Sequence, residues 1–292
     1  MLSSYSKLSV GLTLAIASGL ALADSTGAGA VTSVSYTLID LDPTDGVTPS
    51  ITFAASTSDY PGPYANGYVR ASTPNEDIYR EFTRQGATPT SNVSGGSSTA
   101  WSSASASATG AAGVGFASLA VSGSALSDIN ISGVYYAITN APAAQFTLSA
   151  NTEVVFTVTG WLTGNTTLGG DPDTGFVENG GAVLQLETRG PSADGTGTVY
   201  DREQAAAVAW YTVAADGTVS GESQSWQGQL VSGYSNTTAD AVDGRFAASL
   251  SVAGTSVVAT PVPEPASYAL ILAGLAAVGA ITRRRAAIGH RA

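Results

Sequence analysis

The strongest constraint on this chain is a period-two alternation of apolar and hydroxyl-bearing residues, with nowhere between its two ends an apolar pattern at i, i+3, i+4 and i+7. Val34, Tyr36 and Leu38 alternate with Ser and Thr, as do Val154, Phe156 and Val158; Phe246, Ala248, Leu250 and Val252 alternate with Ala247, Ser249 and Ser251. Successive side chains of a strand point to opposite faces, so such runs bury one face and leave the other in water. Helices are disfavoured further by 34 glycines among 292 residues. Further strands are expected at Ile51 to Ala54, Gly115 to Ser122, Val134 to Ile138, Gln145 to Leu148, Ala182 to Thr188, Thr198 to Tyr200 and Gln227 to Val231.

Turn chemistry points the same way. Asp45-Gly46, Asn66-Gly67, Asn179-Gly180, Asp194-Gly195, Asp216-Gly217 and Asp243-Gly244 are dipeptides that accept positive φ in tight turns. Asp216-Gly217 is the best hairpin candidate, joining a strand at Val208 to Val213 to one starting at Thr218. Ten or more short strands without helices predict an all-β fold, a single two-sheet β-sandwich with the jelly roll as one form of it. A β-helix is the runner-up, against which stands the lack of a fixed repeat. Asp59 to Pro89, rich in Pro, Gly, Tyr and charge, reads as an insertion, and Ser91 to Gly110, nearly all small residues, reads as a loop or a flat strand. Together they mark an irregular insertion at about 59–110.

The ends are different in kind. Residues 1–23 carry Lys7, an apolar stretch from Leu8 to Leu22 and the small-x-small ending Ala21-Leu22-Ala23 before Asp24, the layout of an N-terminal signal helix cut by signal peptidase. At the other end Val262-Pro263-Glu264-Pro265 breaks regular structure, the sixteen uncharged residues Ala266 to Ile281 follow, and Arg283-Arg284-Arg285 closes the pattern. Sixteen residues make about 24 Å of helix, just short of a hydrocarbon core of ~30 Å, so a single transmembrane helix is expected here, with the arginines cytoplasmic. This divides the chain into 1–23, a sandwich body at 24–261 and a tail at 262–292.

The tail resembles the PEP-CTERM sorting signal of Gram-negative bacteria that make extracellular polymeric substance, on Val262 to Pro265, Ala266 to Ile281 and Arg283 to Arg285. That resemblance implies an exosortase, a membrane cysteine protease, as processing partner, an inner-membrane-anchored precursor, and delivery to the cell surface or outside. Tyr36 to Phe53 and Phe146 to Phe156 are in turn similar to paired segments of a subgroup of PEP-CTERM bodies with no activity attached. The residues themselves read as a strand, an Asp-rich turn and a returning strand, then a second hairpin turning at Ala150-Asn151-Thr152.

Composition bounds the chemistry. There is no Cys, and the one His is His290, so the body has no Cys/His zinc site, iron–sulfur site, Cys nucleophile or His-based triad. Between residues 24 and 262 six arginines face 21 acids with no lysine, a net charge of −15 that argues against nucleic acid as partner. Asp40, Asp42 and Asp45 offer three hard oxygen ligands for calcium, although Ile51 stands where an EF-hand has its Glu, and Asx-turn capping explains them equally. Asp171 and Asp173 are a weaker version. Tyr60, Tyr64 and Tyr68, interleaved with Pro61 and Pro63, offer rings for stacking on sugars. Glycoside hydrolysis is the one common chemistry built on carboxylates alone, and Glu178 and Glu187 are candidates for acid and base. Asn92, Asn130, Asn165 and Asn236 stand in N-x-S/T sequences expected by chance in such a chain. The expectation is therefore a non-catalytic surface protein, structural or adhesive in exopolysaccharide or biofilm, with no required cofactor. A carbohydrate- or calcium-binding module is the alternative, and a secreted glycosidase the third reading.

Overall fold

The computed structural model describes residues 23–54, 62–128, 130–167, 178–213 and 219–257. The signal segment, Tyr60, Asp171, Asp173, the Asp216-Gly217 turn and the whole tail lie outside the described residues. Within them sixteen strands and no helix form two large antiparallel sheets and one separate two-stranded sheet.

Numbered in chain order, the first sheet runs β15 (Ser223–Asn236), β10 (Thr152–Thr166), β1 (Ala23–Asp40), β7 (Gly115–Ser127), β6 (Ser102–Ala111) and β5 (Asn92–Ser98). The second runs β12 (Thr198–Ala209), β11 (Asn179–Pro191), β16 (Val242–Val257), β8 (Ser132–Asn140), β3 (Tyr64–Ser72) and β4 (Asp77–Gln85). Beside its lower part β9 (Ala144–Leu148) pairs with both β16 and β2 (Ile51–Ala54). The expected hairpin is present as β13 (Tyr211–Val213) with β14 (Val219–Gly221), Val208 having joined β12 instead. The last strand, β16, sits in the middle of its sheet, between β8 and β11.

The sheets meet face to face over the alternating apolar positions, as a sandwich does. Phe156 of β10 stacks on Phe246 of β16 at 4.1 Å and 8°, and Phe116, Phe146, Leu184 and Leu250 are fully buried around them. Tyr135 of β8 fills a slot whose walls are glycines. A Cβ on Gly123 of β7 would lie 2.1 Å from its Cδ2, and one on Gly254 of β16 would lie 2.4 Å from its Cζ. Its hydroxyl is buried beside Ser25 and Gly181 without a well-formed hydrogen bond, and burial outweighs these neighbours and pushes its pKa up to about 12.

The irregular insertion expected at 59–110 is corrected by the structure: β3, β4, β5 and β6 are regular members of the two sheets. In β6 the small residues hide a strict alternation. Ala104, Ala106 and Ala108 are buried, while Ser103 and Ser105 point out and exchange hydrogen bonds of 2.8 Å with Ser124 and Ser122 of β7. In β4 the charge density belongs to an edge strand, whose single large anchor, Phe82, packs under Gly67 and Gly95. Asn66-Gly67, Asn179-Gly180 and Asp243-Gly244 likewise lie within strands rather than at turns. Gly67 is there for space, since a Cβ would meet the Tyr136 carbonyl oxygen at 2.4 Å. Asp45-Gly46 and Asp194-Gly195 do turn the chain, with φ of +72° and +68° at the glycines.

Neither paired segment forms a hairpin within one sheet. β1 and β10 belong to the first sheet, β2 and β9 to the second, so both segments cross between sheets at the same end. The crossings are tied together: Asn151, at a φ of 45°, donates from Nδ2 to Asp45 Oδ2 at 2.7 Å, and its carbonyl accepts from Leu41 N at 2.8 Å.

Candidate functional site

The two outer faces differ in chemistry. That of the first sheet is mostly small and hydroxyl-bearing, Asp24 and Glu153 being the charges on it among the described residues, with Asp40 at the inward-parity end of β1. All six arginines of the body stand on strands of the second sheet; Arg70 on β3, Arg189 on β11, Arg202 on β12 and Arg245 on β16 face outward, whereas Arg80 and Arg84 on β4 share the inward parity of Phe82 and reach over β5, Arg80 Nη1 donating to the Ser98 carbonyl at 3.0 Å.

Register builds a track of outward side chains down β12, β11 and β16, in rungs two residues or ~6.6 Å apart. The first rung sets Gln204, Gln185 and Ser249 side by side, with Gln185 Nε2 donating to Gln204 Oε1 at 3.1 Å. In the second, Arg202 Nε donates to Glu187 Oε2 at 2.7 Å opposite Ala247. The third holds Tyr200, Arg189 and Arg245. A groove of about 690 Å³, floored by Ile138, Asn140 and Ala247, covers the first two rungs. A second of about 530 Å³ continues over the third. The Arg202 guanidinium lies 4.8 Å above the Tyr200 ring centre, a cation–π contact that holds the aromatic face in the track.

Across β4, β3 and β8 the same outer face carries a row of rings. Tyr68 stacks on Tyr136 at 5.6 Å and 29°, and on Tyr79 at 5.6 Å and 28°. Tyr79 is 57% exposed, the open end of the row. Partial burial, and then the neighbouring Tyr68 and Tyr64 phenols, hold the Tyr136 hydroxyl above its ordinary pKa.

Of the residues singled out from sequence, Tyr64 and Tyr68 do share the outward face of β3, four residues apart with Asn66 between them. The ring partners of Tyr68 are Tyr79 and Tyr136, which no local pattern marks. Asp40, Asp42 and Asp45 are each engaged in a turn: Asp40 Oδ1 accepts from Asp42 N at 3.0 Å, Asp42 Oδ1 from the Thr44 hydroxyl at 2.6 Å, and Asp45 Oδ1 from Val47 N at 2.7 Å. The Thr44 bonds hold the Asp42 carboxyl below its ordinary pKa. Among the described residues no group of three His, Cys, Asp or Glu side chains is placed to hold a metal ion. Glu178 and Glu187 are not brought together. The first, just before β11, is fully buried and accepts from Ser256 Oγ at 3.1 Å, the second points outward from β11, and nine positions along the extended chain separate them by ~30 Å against the roughly 5–9.5 Å a glycosidase pair requires. Ala23 opens β1, while Ala21, Val262, Pro263, Glu264, Pro265, Arg283, Arg284 and Arg285 lie outside the described residues.

Fold and faces together define an all-β sandwich with one sparsely charged outer surface and one that is arginine- and tyrosine-bearing. Residues 261–285 match the PEP-CTERM protein-sorting motif, the signal an exosortase recognises, and that motif indicates an exported precursor sorted to the cell surface. No curated protein matches the chain. Among solved structures, a carbohydrate-binding module of the β-sandwich superfamily is similar at a TM-score of 0.11 and 8% identity, over 71% of this chain and 97% of that one. An overlap that slight bears on neither fold nor ligand.

Proposed function

We propose that this protein is a non-catalytic surface component that holds extracellular polysaccharide against the outer face of its second sheet, giving it an adhesive or structural role in exopolysaccharide and biofilm. The observation that carries this reading is the track beside the tyrosine row: amides, a carboxylate, guanidinium groups and rings share one continuous face. Sugar hydroxyls need donors and acceptors close together, and sugar C–H faces need aromatic surface; this face supplies both. Sorting to the surface by the tail puts the face where polysaccharide is. Two processing steps belong to the proposal, cleavage after Ala23 by signal peptidase and exosortase cleavage near Pro263-Glu264-Pro265.

The test is cosedimentation of the processed protein with exopolysaccharide from a PEP-CTERM-bearing bacterium, alongside Gln185→Ala/Gln204→Ala and Tyr68→Ala/Tyr79→Ala variants. The reading expects wild type in the pellet and each double variant shifted to the supernatant with its melting temperature within a few degrees of wild type. Wild type left in the supernatant would overturn it. Intact-mass measurement of the same sample reads both cleavage sites.

A further inference from the structure

In the third rung of the track two cations face each other. Arg189 of β11 and Arg245 of β16 are direct cross-strand partners on the outward face, and Tyr200 of β12 stands directly opposite Arg189 on its other side. Like charges directly opposite in a sheet destabilise it. The sheet offers only partial relief: Arg189 lies at 5.9 Å over the Tyr200 ring and its one ion pair is with Glu187 at 3.8 Å, a long contact to a carboxylate already engaged by Arg202 at 2.7 Å. Among the described residues Arg245 makes no ion pair. Neighbouring Asp243 is turned to the Thr147 hydroxyl, which donates to its Oδ1 at 2.6 Å. The body has only six arginines against 21 acids, so two of them on one rung, at the floor of a groove of about 530 Å³ open to solvent, is a costly arrangement in the unliganded protein.

We propose that Arg189, Arg245 and Tyr200 form a subsite for the carboxylate of an acidic sugar, so that the polysaccharide held by this face is a uronate-bearing one. This rests on the function proposed above and names the ligand class. Guanidinium forks bind a planar carboxylate through two parallel N–H···O bonds, and an anion between Arg189 and Arg245 cancels their repulsion. The Tyr200 ring, with Arg202 over it, stands beside the anion as a surface for the sugar's C–H face. The amide rung lies two rungs up the track, ~13 Å away, and takes uncharged hydroxyls of the same linear chain.

The experiment is affinity electrophoresis of the processed protein through gels containing polygalacturonate, its fully methyl-esterified form, dextran sulfate or neutral dextran, for wild type, Arg245→Gln and Arg189→Gln. Polygalacturonate is expected to retard wild type and the ester to do so at least tenfold more weakly, in line with the loss of charge-assisted hydrogen bonds. Either substitution is expected to weaken retardation by polygalacturonate about tenfold. A structural role for these arginines would lower the melting temperature on substitution; here Arg245→Gln without ligand is expected to leave it unchanged or raise it. Equal retardation by ester and acid, or by wild type and Arg245→Gln, would overturn the subsite and leave a neutral-polysaccharide face standing. Equal retardation by dextran sulfate would overturn the carboxylate assignment in favour of a general anion site. No retardation by any polymer would overturn the subsite and the polysaccharide-binding reading together.

Discussion

Adding a single methyl group at Gly123 tests the packing of the sandwich directly. In Gly123→Ala the new Cβ stands 2.1 Å from Tyr135 Cδ2, far inside the ordinary contact distance of roughly 3.5–4 Å. The ring cannot retreat, because its far side is pressed on the backbone at Gly254, where a Cβ would itself lie 2.4 Å from Cζ. Relief therefore requires the sheets to separate locally. Overpacking of this kind costs about 1–3 kcal/mol, and the lack of any direction of escape places this site at ~3 kcal/mol. For a body of this size that is a fall in melting temperature of roughly 6–12 °C. Urea denaturation followed by tryptophan fluorescence measures it, since stability falls linearly with denaturant. The decisive arm is a double-mutant cycle. Tyr135→Ala alone removes a buried aromatic at about 3–5 kcal/mol, but with the slot empty Gly123→Ala is expected to add less than ~1 kcal/mol. Additive costs, or a Gly123→Ala variant as stable as wild type, would refute the slot.

Tyr135→Phe removes a buried hydroxyl without a well-formed hydrogen bond and is expected to raise stability by about 1 kcal/mol, read in the same denaturation assay. Asn236, 1% exposed, donates to the Ser149 and Asp240 carbonyls at 2.8 Å and accepts from Thr238 N at 3.0 Å; Asn236→Ala orphans these groups and is expected to cost about 2–4 kcal/mol, and no glycan should be found there by mass analysis of the folded protein. The Ser192 hydroxyl and then the Thr196 amide hold Asp194 down to about 2, so it titrates in the folded chain below its unfolded value of 3.8. Its contribution to stability is present above pH ~4 and lost as pH falls through about 2, so Asp194→Asn should lower the melting temperature at pH 7 and not at the acid end. Asp24 has the opposite sign: burial raises its pKa, so folding is favoured below 3.8 and that advantage is lost as pH rises through the folded value. Asp24→Asn should accordingly be more stable than wild type at pH 7 and equal to it at pH 3, with carboxyl-carbon NMR titration giving both midpoints.

Where large apolar residues mark one face, the strands are legible in the sequence: Val34 to Leu38, Val154 to Val158 and Phe246 to Val252 lie within β1, β10 and β16. The first half of β1 is not, because its inward positions are Ser25, Gly27, Gly29 and Val31. The space in front of Gly27 and Gly29 is already filled by Val252, Leu162 and Leu250. A register shift between Val31 and Ser33 then reverses the inward parity, so a single alternation cannot be followed through the strand. Likewise an Asn-Gly or Asp-Gly pair signals a turn only when backbone freedom is what the glycine supplies; at Gly67 it supplies room. The candidate site was less legible. Tyr68 and Glu187 are visible, but Arg189 and Arg245 stand 56 positions apart and meet only through the pairing of β11 with β16. The one signal available is that every arginine of the body falls within a strand of one sheet, which becomes evident only when the sheets are known.

The central position of β16 has a consequence for the order of events during export. Both neighbours, β8 and β11, are made before it, yet they have no ladder between them until the last strand slots in, so the second sheet cannot close while the C-terminal part of the chain is still being synthesised or threaded. The sorting motif begins at residue 261, four residues after β16 ends at Val257, a reach of at most ~14 Å fully extended. Completion of the fold and presentation of the tail are therefore nearly one event. A chain that has not finished folding holds its last strand loose beside the cleavage signal, whereas a finished one offers the processing enzyme a short leash on a closed domain.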